Sequence, residues 1–374
     1  AAMADPAIKI VSLTVTEKGY CHNPATGALN LAHADIQADI HGPLPASAPG
    51  FLVRALQMRR AASHAPFTVL SCDNLPDNGK LVRSVVLDLA AEIDSDLSVW
   101  IAEHGRFPST MVDRITPATT QADIDRIAAV MGRPGGAPVL HEPFAQWAIE
   151  DDFVNGERPD LAAAGAELVA DVSAHEQMKL RMLNGTHSAL AYTGYLAGHE
   201  TIAATIADPV FAAYVRRLWS EITPAVTPPA GDDLGTYTDA LFARYANPAI
   251  QHRTWQIAMD GSQKLPQRVL DTLADNIAAN RPIDALCLAV AAWMRYVGGV
   301  DEAGQPIDVR DPLAERLRDL SQAQETPEDK VTALLAVDDI FPPDLAAQLR
   351  APGAEAATRL WSMGARAALA EVHP

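Results

Sequence analysis

At Pro159 the chain changes character, and no other feature limits its possible folds as much. Before it, short runs rich in Val, Ile, Thr and Phe alternate with helical periodicity. Ile8 to Thr16, Phe67 to Ser71 and, more briefly, Met111 to Thr116 read as strands. Pro43 to Arg59 and Leu81 to His104 read as helices between them, the second with apolar residues at Val85, Leu89 and Ile93. After it come helical runs from Leu161 to Asp171, Glu176 to Leu196, Pro209 to Ile222, Tyr237 to Tyr245, Pro266 to Asn280, Ile283 to Val297 and Glu355 to Ala370. The pattern predicts an α/β part over residues 1–160, with a parallel or mixed sheet, and a mainly α-helical domain over residues 161–374. Loops that carry function in such a sheet sit at the carboxyl ends of its strands, where Asn74 and Asp113 fall.

The 374 residues carry 47 acidic and 29 basic side chains, a formal net charge of −18. That balance argues against a nucleic-acid or anionic-membrane partner, whose phosphates call for Lys and Arg. It leaves room for an anionic small molecule in a locally basic pocket. Cys21, Cys72 and Cys287 are odd in number and far apart, which suits a reducing cytoplasm rather than a disulfide framework. The histidines lack the His-Glu-x-x-His spacing of a helical zinc site, so no metal is expected. No apolar run is long enough to span a membrane, and the first residues do not read as a signal peptide.

The chemistry concentrates in Lys179-Leu-Arg-Met-Leu-Asn-Gly-Thr-His187. On a continuous α-helix, turning ~100° per residue, Asn184 would lie ~140° and His187 ~80° round from Lys179, with Glu176 ~60° away. An amine, a carboxamide and an imidazole would then face one pocket, a set suited to polarising a carbonyl or deprotonating an alcohol. A lysine at its ordinary pKa of ~10.4 is a poor base at neutral pH. Desolvation toward ~7–8 would make it an efficient acid–base. Two further polar runs stand out: Ser71-Cys-Asp-Asn-Leu-Pro-Asp-Asn-Gly79 and Met111-Val-Asp-Arg-Ile-Thr-Pro117. From the residues alone, Asp113 could pair with Arg114 or cap a loop, and Glu176 could be a solvated surface acid.

These segments, with Val11-Ser-Leu-Thr-Val-Thr-Glu-Lys-Gly-Tyr20 and Asp260-Gly-Ser-Gln-Lys-Leu-Pro266, resemble the polyol-specific long-chain dehydrogenase (mannitol dehydrogenase) family along nearly the whole chain. The resemblance implies a Rossmann-like dinucleotide-binding part, here incomplete, ahead of the helical domain. It implies metal-independent hydride transfer with NAD, on a sugar acid or polyol. Lys179 then matches the catalytic acid–base, Asn184 and Asn74 the amides that bond the reacting oxygen, and His187 the histidine that orients substrate. Asp113 and Lys264 match substrate-pocket positions, Glu176 an acid that exchanges protons with solvent, and Thr16 and Glu17 the nicotinamide side.

The segment His252 to Arg268 and Gln256, eight residues before Lys264, lean toward the fructuronate-reductase branch rather than the mannitol branch. A hexuronate carboxylate asks for a guanidinium, and Arg253 is the candidate. The family's Gly-rich turn before the first strand has no counterpart here. The sequence therefore reads as an N-terminally truncated enzyme or as an inactive sugar-acid-binding remnant. The acid that would separate NAD from NADP is likewise not legible, nor is the oligomeric state.

Overall fold

The computed structural model describes residues 2–23 and 26–372. In chain order, β1 (Ile10–Leu13) is followed by α1 (Ala34–His41), α2 (Ala48–Ala61), β2 (Thr68–Ser71), α3 (Asn78–Ile93), α4 (Ser95–His104), β3 (Thr110–Asp113) and α5 (Gln121–Met131). Next come β4 (Gln146–Glu150), β5 (Glu167–Val169), α6 (Ser173–Met178), a π-helical turn (Lys179–Asn184) and α7 (Gly185–Leu196). Then follow α8 (Ile202–Ala207), α9 (Pro209–Ile222), α10 (Leu234–Tyr245), α11 (Thr254–Ile257), α12 (Gly261–Leu265) and a second π-helical turn (Pro266–Leu270). The chain closes with α13 (Asp271–Ala278), α14 (Asp284–Val297), α15 (Ala314–Gln322), α16 (Pro327–Leu335), α17 (Pro343–Met363) and α18 (Ala365–Ala370). Two compact units result. The first comprises the residues up to Arg114 with Pro143–Glu176, the second Ile115–Glu142 with everything from Gln177 onward.

In the first unit β1 and β2 pair in parallel, Ile10 opposite Thr68 through Leu13 opposite Ser71. Beside them β3 and β4 run antiparallel, and β4 and β5 parallel. The Val69 N–H bonds the Arg106 carbonyl, which sets the two pieces edge to edge as a mixed layer. Leu52 and Leu56 of α2, Val85 and Leu89 of α3 and Ile101 of α4 bury their side chains with Phe67 and Val69 beneath this layer. The start of the chain is anchored by Arg59, only 1% exposed, which donates to the carbonyls of Met3, Asp5, Ile8 and Ala65. Its guanidinium lies 5.0 Å over the Phe67 ring. Carbonyl dipoles and a ring face compensate a charge that burial would otherwise penalise.

Several expected elements came out differently. The helix read over Leu161 to Asp171 is a 3₁₀ turn at Ala162–Ala164 followed by β5. Its alanines favour helix, but Gly165 at φ 92° ends the turn, and pairing with β4 takes the next residues. Those residues therefore pair with the sheet, and the compact units divide inside α6. The helix read over Pro43 to Arg59 begins at Ala48, where the Ser47 hydroxyl accepts the Gly50 N–H. The run from Leu81 to His104 breaks at Asp94, whose backbone ends α3 and whose carboxylate caps α4.

The second unit is helical around α7 and α14. Every residue of α7 except Tyr195 is buried, and every residue of α14 except Asp284 and Arg295. Helices apolar all round are those that others surround. The Glu221 carboxylate of α9, 2% exposed, accepts the Ala285 and Leu286 N–H groups and so caps α14 from a neighbouring helix. Residues Ile115–Glu142 also belong to this unit. Glu142 forms a two-pronged pair with Arg244 of α10, at 3.0 and 2.8 Å, with both side chains nearly sealed from water. α5 buries none of its residues and closes on its own signals, a Thr120–Asp123 capping box and Gly132 in the left-handed conformation. Among the described residues no helix is long and apolar enough to cross a membrane.

Candidate active site

The segment from Glu176 to Leu196 is not one α-helix. Between Lys179 and Asn184 the backbone widens to the π pattern, with the Gly185 N–H reaching back five residues to the Leu180 carbonyl. The widening changes which side chains share a face. At roughly 4.4 residues per turn, the five steps from Lys179 to Asn184 leave about 50° between them instead of ~140°. His187, three α-helical steps further, returns to within about 10° of Lys179. By ideal geometry the widened turn narrows the arc that the trio spans. Lys179 and Asn184 are each 9% exposed and His187 4%.

Two contacts hold the turn in this form. The Tyr245 hydroxyl of α10 donates to the Leu183 carbonyl at 2.9 Å. A Cβ on Gly185 would stand 2.6 Å from the Arg268 carbonyl, so only glycine lets the second π turn lie against the first. That second turn is itself set by Asp260-Gly-Ser. Asp260 adopts φ 54°, Gly261 leaves no room for a Cβ beside Trp293 Nε1 and the Tyr192 hydroxyl, and Ser262 bonds Asp311 through its N–H and hydroxyl. At these three positions the motif quoted for the resemblance shapes the backbone ahead of Lys264 and Arg268.

His187 packs against Tyr245, with ring centroids 4.7 Å apart, and edge-on to His252 at 5.2 Å. Burial pushes its imidazole well below the usual histidine range, and His252, Arg268 and Arg244 push the same way. His252 is pushed down to about 4, by burial and then by Lys264. Both rings are neutral at physiological pH. Lys264 donates to the Met259 carbonyl at 2.6 Å, and Arg268 donates to Ser188 Oγ at 3.3 Å. Arg253 gives α11 its N-cap through the backbone and exposes its side chain, as does Gln256. His252, Tyr245 and Arg268 carry no signal of their own beyond lying in or beside quoted motifs, and sequence reasoning missed their place around His187.

In the first unit, the run that begins at Ser71 divides into buried and exposed members. The Asp73 carboxylate accepts the Val15 and Thr16 N–H groups and the Tyr20 hydroxyl. The Asn78 amide bonds the Asp73 and Thr110 carbonyls and accepts the Thr110 N–H. These two residues join the ends of β1, β2 and β3, while Asn74 is exposed at the tip of the loop. Asp113 is 4% exposed at the end of β3. Thr16, at φ 64°, and Glu17 are exposed where the chain leaves β1. Glu176 is partly buried and accepts the Asp77 N–H at 3.2 Å. Burial raises its carboxyl to about 7.

All three cysteines are free thiols. Cys21, His33 and Asp35 bring ligand atoms within 4.8 Å of one another. His33 already spends Nδ1 on the Asp35 N–H as the cap of α1, and burial beside Asp35 and Asp39 favours the protonated Cys21 thiol. The set is not built as a metal centre.

Residues 1–163 match the mannitol dehydrogenase Rossmann domain, and residues 171–360 the mannitol dehydrogenase C-terminal domain. The chain belongs to the mannitol dehydrogenase family. An uncharacterized oxidoreductase of Escherichia coli, YdfI, is 51% identical over 348 residues, covering 92% of this chain and 71% of that protein. The D-mannonate oxidoreductase of the same organism is 48% identical over 373 residues, 99% of this chain and 76% of that one. Among solved structures, the mannitol 2-dehydrogenase of Pseudomonas fluorescens, a ternary complex with NAD and D-mannitol, superposes with a TM-score of 0.84 at 38% identity, over 98% of this chain and 75% of that one. The Rossmann-type first part and mainly helical second part expected from the sequence are those of this family.

Proposed function

We propose that this mannitol dehydrogenase family chain serves the interconversion of D-mannonate and D-fructuronate with NAD, by metal-independent acid–base chemistry centred on Lys179. The succession of Lys179 and Asn184 on the widened turn and a buried, neutral His187 on the α7 turn that follows carries the acid–base reading. Likeness to the D-mannonate oxidoreductase over 99% of the chain supports the substrate.

In the oxidative direction Lys179 takes the hydroxyl proton of the substrate carbon, and in the reductive direction it returns it. A hydride passes between that carbon and the nicotinamide, which is the chemistry NAD supplies. Asn184 donates to the reacting oxygen as it gains negative charge, where a preorganised amide is worth more than water. His187, neutral, orients a neighbouring hydroxyl without adding charge. Asn74, Asp113 and Lys264 are proposed as further substrate contacts, Thr16 and Glu17 as contacts of the nicotinamide side, and Glu176 as the acid that passes protons to solvent. A reducing cytoplasm remains the proposed setting.

The described residues fit the dinucleotide only in part. The one turn that leads directly from a strand into a long helix in the first unit, β2 to α3, carries Asp73 and Asp77, and its Gly79 is pressed against the Phe107–Ser109 backbone. A pyrophosphate seat wants glycine and open N–H groups at that point. No step is therefore routed through those residues.

NADH titrated into the protein, followed by cofactor fluorescence with and without D-mannonate, tests the reading. Saturable binding strengthened by D-mannonate is the expected result. Strengthening by D-mannitol alone would favour a polyol dehydrogenase, the reading supported by likeness to the D-mannitol complex. No binding at all would leave a sugar-acid-binding chain without redox activity.

A further inference from the structure

Four arginines bear on the helical side of this site, and the structure separates their duties. Arg181 gives Nη1 to Asp275 and to the Ala225 carbonyl. Arg244 is committed to Glu142 through both prongs, in a pair almost closed to water. Arg253 projects an exposed side chain from the start of α11. Arg268 differs from all three. It is half-buried on the second π turn, its carbonyl rests against Gly185, and its guanidinium reaches Ser188, the residue after His187.

We propose that Arg268 is the residue that recognises a carboxylate on the substrate, and so selects sugar acids over neutral polyols. This rests on the sugar-acid reading given above. A guanidinium offers parallel N–H donors matched to the two oxygens of a carboxylate, a geometry an ammonium such as that of Lys264 does not have. The backbone contact with Gly185 fixes the base of the Arg268 side chain relative to Asn184 and His187, so charge recognition and the acid–base trio share one rigid support. Arg268 bears on His187 and Lys264 on His252, two cations beside the rings, while the charge of Arg244 is met by Glu142. The sequence-based candidate, Arg253, lacks this support, because its exposed side chain is free to follow solvent.

Binding of D-mannonate and of D-mannitol to the wild-type protein and to Arg268→Met, Arg268→Lys and Arg253→Met, measured by calorimetry in the presence of NADH, tests the assignment. The wild type is expected to prefer D-mannonate. Arg268→Met should weaken D-mannonate by about 10- to 100-fold, the loss of a charge-assisted pair, and leave D-mannitol within about threefold. Arg268→Lys should fall between, since it keeps the charge and loses the fork. Equal weakening of both ligands, or a selective loss that follows Arg253→Met instead, would overturn the role of Arg268 while leaving the sugar-acid reading standing. A wild type without preference for D-mannonate would sink both. Thermal unfolding of each variant identifies a folding defect, and Arg268→Lys, which keeps the long cationic side chain, then decides.

Discussion

Glu176 holds its carboxyl at about 7 because burial penalises the ionised form more than the Asp77 N–H stabilises it. The sign follows directly. Below the ordinary value of 4.5 the group is neutral folded or unfolded; between 4.5 and about 7 the unfolded chain releases a proton that the fold retains. Stability that depends on Glu176 is therefore lost as pH rises through that window. Glu176→Gln should become progressively more stable relative to wild type from pH 4.5 to 7, seen in melting temperatures across pH. A constant difference would refute it. His252 runs the other way, because its folded value of about 4 lies below the ordinary 6.5. The wild type should lose stability between pH 6.5 and 4, and His252→Asn should lose less, which urea unfolding at the two limits would show. For Lys179, replacement by Met should lower kcat by about 10²–10⁴-fold, as loss of a general acid–base does, with KM changed far less. A fall in KM affinity alone would recast Lys179 as a binding residue.

Gly185 is where two elements depend on one missing atom. Gly185→Ala would push its methyl onto the Arg268 carbonyl, and a backbone oxygen cannot rotate aside as a side chain can. The variant should lose about 1–3 kcal/mol of stability by chemical denaturation, and kcat with it. An unchanged midpoint would mean that the two π turns can separate freely. The same element shows where sequence reasoning stops. Lys-Leu-Arg-Met-Leu-Asn is built of residues that suit an α-helix, and nothing in its periodicity announces i→i+5 bonding, which is imposed by Arg268 and Tyr245 from far along the chain. The helices at Pro209–Ile222, Leu234–Tyr245 and Asp284–Val297 were legible from their apolar residues, whereas Ala314–Gln322, Pro327–Leu335 and the first turns of Pro343–Met363 were not read. β5 was not, since a three-residue strand wins only through its partner β4, against the helix preference of the alanines before it. The widened backbone beneath Lys179 and Asn184 was likewise not legible.

At the scale of the molecule, the chain passes between its two units three times, at Arg114–Ile115, Glu142–Pro143 and Glu176–Gln177. Glu142 is the last residue of the first excursion, and its pair with Arg244 ties that excursion to the helical unit. Glu142→Ala would take a two-pronged carboxylate from a buried guanidinium, at a cost of about 3–5 kcal/mol. Thermal unfolding should show that loss; a shift of less than about 1 kcal/mol would mean that water reaches Arg244 when its partner is gone. The excursion also sets an order of events during synthesis. Arg244 lies 102 residues beyond Glu142. At 5–20 residues per second, a ribosome needs roughly 5–20 s to deliver it, so Glu142 waits that long for its counter-charge. The capping box and glycine of α5 satisfy its ends from within the segment, so its closure does not depend on residues still to be made. Local closure of α5 lets that excursion take shape before its anchor arrives.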